Sequence, residues 1–132
     1  MPTYTTPPSE EDIHALAEAA LAAIPARLAQ HVKGVAILVE NLADDETLEE
    51  MGIESPWELT GLYSGVPLNQ RSVSDPVPFP ETIFLYREAI LLEWVETGED
   101  LGRLVASVLV HEIAHHFGFS DAEIERIEAE MS

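Results

Sequence analysis

The sequence predicts a single mixed α/β domain of the α+β type, residues 9–132, preceded by a flexible arm over residues 1–8. Three observations point there. Helical spacing of apolar residues brackets the chain at both ends, and short apolar runs of strand character lie between. No repeat, low-complexity tract or second domain interrupts the 132 residues. An apolar fraction of 46% suits one packed core.

The elements follow in order. Three prolines and several threonines make the first eight residues a loose arm. Ser9 is a helix N-cap, with Glu10, Glu11 and Asp12 placed where the helix dipole favours acids. Ile13, Leu16, Ala17, Ala20, Leu21 and Ile24 form one apolar stripe up to Pro25, and His14 and Glu18 face water. Val35 to Val39, wholly apolar behind Gly34, reads as a buried strand. Residues 41–60 are acidic and irregular and read as a solvated loop with at most one helical turn. Residues 61–67 read as strand or turn with Tyr63 as an anchor, and residues 69–80, rich in proline, as a second loop. Thr82 to Tyr86 is a strand. A helix over residues 88–96 follows, with a turn at Thr97 and Gly98. Residues 100–117 form a helix stopped by Gly118. Ser120 and Glu123 form a capping box for a last helix that aligns Ile124, Ile127 and Met131.

Charge narrows the function. With 25 acids against 6 bases the formal charge is −19, which repels nucleic acid and anionic membrane surfaces and attracts cations or basic partners. Cysteine is absent, so thiolate metal sites and disulfides are excluded. Met1 to Asp12 shows no secretory pattern and no stretch is long and apolar enough to span a bilayer, so a cytoplasmic location is the expectation.

The chemistry concentrates in His111, Glu112, Ile113, Ala114 and His115, the HExxH pattern on a helix. Histidines four apart share one helix face and can converge on one ion. Glu112 beside them can take a proton from a metal-bound water. Leu101, Leu104 and Val108 lead along the same stripe, and no charge lies between Arg103 and His111. The helix is therefore expected to be central, its ionisable groups costly unless paired or metal-bound. Gly118 and Asp121 extend the pattern to HExxHxxGxxD, so a carboxylate six residues past His115 can reach the same ion after the glycine bend. Glu125 and Glu128 are rival third ligands, and Asp121 has the alternative role of favouring the helix dipole. His116, about 100° around the helix from His115, suits bonding to a neighbour rather than the ion. A polar cluster of His111, Glu112 and His115 with no metal is the competing structural reading.

Val110 to Gly118 with Asp121, supported by Gly61 to Leu68, Thr82 to Arg87 and the helix-then-strand opening through Val39, resembles a small bacterial family of zinc metallopeptidases with a minimal zincin-like fold. The resemblance covers roughly residues 10–127. It implies a small mixed sheet packed on a central HExxH helix with flanking helices. It implies one Zn2+ held by His111 and His115, with Asp121 as third ligand and Glu112 as general base. The extended motif is also similar to that of metzincins with an aspartate ligand. Those metzincins have a methionine turn after the third ligand and a lower subdomain that shapes the cleft; here the only methionine after Asp121 is Met131, within the last helix, and the lower subdomain is almost missing.

The expected activity is therefore metallopeptidase-like hydrolysis, in which water attacks a peptide carbonyl. Tyr63, Tyr86, Arg87 and His116 are candidate oxyanion donors. The expected partner is a peptide or protein, a basic one being favoured by the acidic loops, and it could add to a sheet edge. The alternative is a non-catalytic, metal-stabilised binding or regulatory domain. Retention of Glu112 favours the enzyme, since a purely structural zinc has four protein ligands.

Overall fold

The computed structural model describes residues 6–65 and 81–131. Its elements are α1 (Glu10–Ala23), α2 (Ala26–Ala29), β1 (Ala36–Glu40), α3 (Asp45–Met51), a 3-10 turn (Pro56–Glu58), β2 (Gly61–Ser64), β3 (Thr82–Tyr86), α4 (Arg87–Thr97), α5 (Leu101–His116) and α6 (Asp121–Met131). The strands form a mixed sheet in the order β1-β3-β2. β1 runs parallel to β3, with Ile37 opposite Ile83, and β2 runs antiparallel to it, with Gly61 opposite Leu85.

Helix α5 is the centre of the molecule. It packs on α1, β2, β3, α4 and α6, and it buries Leu101, Leu104, Val105, Val108, Leu109, Val110, Ile113 and Ala114. Those residues join Ile13 and Ala17 of α1, Ile83 and Leu85 of β3, and Ile124 and Ile127 of α6 in one core. Asp100 caps α5 by accepting from the Arg103 N–H at 3.1 Å. At the other end Gly118 takes φ +79°, a left-handed turn that an L side chain resists. The Phe119 N–H then closes on the Ala114 carbonyl at 2.9 Å.

Helix α1 carries the expected cap at Ser9, whose hydroxyl accepts from the Asp12 N–H while the Asp12 carboxylate accepts from the Ser9 N–H. His14 and Glu18 pair across solvent at 3.5 Å. At the end of the expected arm, Pro8 is fully buried, and its carbonyl accepts from Arg87 Nε at 2.6 Å. Residues 1–5 and the expected proline-rich loop at 69–80 lie outside the described residues.

Two segments differ from expectation. β1 is an edge strand rather than a fully buried one: Ile37 points into the core while Leu38 is 49% exposed. Helices α1 and α5 cover one face of the sheet, so alternate residues of β1 meet water. Residues 41–60 are not a solvated loop. Asp44 accepts from the Thr47 N–H at 2.8 Å and opens α3, and those bonds to Thr47 hold its carboxyl below the usual range. Gly52, with φ +69°, closes the helix. Leu48, Ala43 and Leu59 then form a second small core with Tyr86 and Ala89, against which Leu62 and Phe84 of the outer sheet face pack.

Candidate metal centre

His111, Glu112 and His115 lie in the last turns of α5, at the solvent-facing end of its apolar stripe. The two imidazole rings have centroids 5.7 Å apart and planes 75° apart. Asp121 is the first residue of α6, delivered there by the Gly118 turn. Ser120 caps α6: its hydroxyl accepts from the Glu123 N–H at 3.2 Å, and Glu123 Oε1 accepts from the Ser120 N–H at 3.2 Å. That box fixes where Asp121 begins, and its Oδ1 stands 3.6 Å from Nε2 of His115.

The groups are more open than the stripe suggested. The side chains of His111, His115 and Asp121 are 42%, 54% and 97% exposed. Glu112 differs, because β2 lies across it. A Cβ at Gly61 would come within 2.8 Å of Val108 Cγ1 and 3.2 Å of Glu112 Cγ, so only glycine lets this strand approach so closely. Burial pushes the Glu112 carboxyl up, while His115, His111 and the Tyr63 backbone N–H that it accepts from pull it down. The Tyr86 N–H bonds the Thr60 carbonyl. By the alternation of an antiparallel pair, the Tyr63 N–H points away from β3, along the outer edge of β2. Glu112 therefore sits on that edge.

His111 is oriented from behind. Its Nδ1 lies 2.8 Å from the Ser107 carbonyl, one turn earlier, and 2.8 Å from Glu128 Oε1 on α6. Glu128, a rival for third ligand, thus meets the nitrogen opposite the one that Asp121 meets on His115. Glu125, the other rival, lines an open groove of about 390 Å3 between α5 and α6.

The donor set suits zinc: two imidazoles and a carboxylate, with a further coordination position left over. The 3.6 Å between His115 Nε2 and Asp121 Oδ1 is close to the edge of roughly 3.3 Å spanned by two ligands on tetrahedral bonds of about 2 Å. Among the described residues no three His, Asp or Glu side chains are already gathered into a metal-holding group. The arrangement is a His115–Asp121 pair with His111 one turn away, and the exposed rims of these side chains leave them room to turn.

The four candidate oxyanion donors separate. The Tyr63 hydroxyl donates to Glu81 in a short bond, and burial, helped by Glu81, pushes that phenol up. Arg87 serves Pro8 and Asn41. The His116 ring stacks on Tyr63 at 4.0 Å, the neighbour role expected for it. Tyr86 is buried, and burial with Glu40, Asp44 and Glu112 nearby pushes it up to about 12. Sequence reasoning missed Gly61, the Tyr63 N–H and Ser107. Ser107 had a signal in standing one turn before His111, but Gly61 becomes visible only once β2 is laid on α5.

A family model described as Zincin-like metallopeptidase matches residues 32–131. No curated protein matches the chain.

Proposed function

The chain belongs to the zincin-like metallopeptidase family, and from that premise we propose that it hydrolyses peptide bonds with one zinc ion and Glu112 as general base. His111, His115 and Asp121 would hold the ion. The observation that carries this reading is the 3.6 Å pairing of His115 with Asp121, beside a carboxylate pinned against the β2 edge. When bound, zinc supplies Lewis acidity that polarises a carbonyl and lowers the pKa of nearby water to about 7.

The chain's own groups supply the rest. Glu112, anchored by the Tyr63 N–H, accepts the proton of the attacking water on a carboxylate oxygen and returns it to the leaving nitrogen. Its raised proton affinity suits a base that must also act as an acid. Among the described residues no strand pairs the outer edge of β2, so backbone groups there other than the Tyr63 N–H could meet an extended peptide, and the −19 charge favours a basic one.

Glu112→Gln tests this reading. Zinc content should stay near one equivalent, while hydrolysis of a basic peptide library falls by at least about 100-fold. Equal turnover in the variant would remove Glu112 from the mechanism. A zinc-loaded parent with no turnover would favour the non-catalytic domain.

A further inference from the structure

We infer that Glu128, held by Ser107, is a positioning residue that fixes which nitrogen of His111 is left free for the metal. The inference rests on the metal reading above and deepens it.

The geometry is local, and the Ser107 hydroxyl also lies 3.4 Å from the same ring nitrogen. Nδ1 of His111 faces the Ser107 carbonyl at 2.8 Å and Glu128 Oε1 at 2.8 Å. A carbonyl and a carboxylate only accept hydrogen bonds, so the proton of the neutral ring belongs on Nδ1. Nε2 then carries the lone pair that a metal needs. The Ser107 hydroxyl donates to the same Glu128 oxygen at 3.1 Å, which holds the carboxylate in place.

Packing does not force this contact. Glu128 lines an open groove of about 390 Å3 between α5 and α6, and its side chain is 36% exposed. It could turn to water, yet it reaches back to α5. The consequence joins two elements: α6 supplies Asp121 at its first residue and orients His111 from its third turn. One helix thereby sets both flanks of the site. A carboxylate behind a ligating histidine sets its tautomer and raises its basicity, and its loss typically weakens metal binding about 10–100-fold.

The test compares the parent with Glu128→Ala and Glu128→Gln, the latter keeping an acceptor oxygen. In the metal-free proteins, nitrogen-15 shifts of His111 should report a proton on Nδ1 in the parent. Glu128→Ala should move part of the population towards Nε2–H, the Ser107 carbonyl still holding the rest on Nδ1, and Glu128→Gln should hold it near the parent. In chelator competition with zinc alone, Glu128→Ala should raise the Kd by about 10–100-fold, with partial rescue by Glu128→Gln and an unchanged metal-free melting temperature. Identical His111 shifts in all three proteins would overturn the inference, as would a zinc Kd in Glu128→Ala within about twofold of the parent's or a loss that follows unfolding. If the parent binds no zinc, the metal reading fails, and the nitrogen shifts still decide the role of Glu128.

Discussion

The fold moves the proton affinity of Glu112, and the direction has a measurable consequence. Burial pushes its carboxyl up, so the unfolded chain loses this proton at lower pH than the folded chain does. The folded state is favoured below that window, and the advantage is lost as pH rises through the folded value. Glu112→Gln carries no charge and can still accept from the Tyr63 N–H. In thermal melts without metal it should therefore exceed the parent's stability at pH 8, with the gap closing towards pH 4. A gap independent of pH would contradict the burial of this carboxylate. At this scale the sequence was most legible where spacing alone decides: His111 and His115 share a face because they are four apart. It was least legible where a partner comes from elsewhere. Glu128 reads along the chain only as a rival to Asp121, and α6 places its carboxylate 2.8 Å from Nδ1 of His111.

Elements supply what single residues cannot. The end of α5 and the start of α6 were readable from Gly118, Ser120 and Glu123, because caps are local chemistry, whereas Asp100, read as the first helical residue, is the N-cap of α5. β3 was readable to the residue from its run of branched and aromatic side chains. Residues 41–60 misled because acids there are as numerous as apolar residues and show no clear period. Yet Asp44 and Gly52 frame a short helix whose Leu48 is buried, and the need for it arises only from the outer face of a sheet. β2 is the element on which the site depends, since it presses Gly61 against Val108 and Glu112. Gly61→Ala should cost roughly 1–3 kcal/mol by overpacking, read from denaturant melts, and should lower hydrolysis by displacing Glu112. A variant as stable and active as the parent would show that β2 does not sit on α5 so closely.

At the scale of the molecule, the chain is a minimal zincin-like domain: a three-stranded mixed sheet on a central helix, with the motif at that helix's open end. No described helix is long and apolar enough to cross a membrane. The −19 charge, legible from composition, costs self-repulsion that dissolved salt screens. Raising ionic strength from about 0.01 M to about 0.15 M shortens the screening length from about 30 Å to about 8 Å. The metal-free melting temperature should therefore climb with salt, and a flat or falling response would place the repulsion elsewhere. Composition could not reveal that the site is open, because the exposure of His111, His115 and Asp121 is set by how α5 and α6 are packed. The most direct test of the metal centre is a crystal structure with anomalous scattering at the zinc edge. One peak is expected about 2.0–2.2 Å from Nε2 of His111, Nε2 of His115 and a carboxylate oxygen of Asp121. A zinc-soaked crystal with no peak among these three side chains, or with the ion held by Glu128 instead, would contradict it.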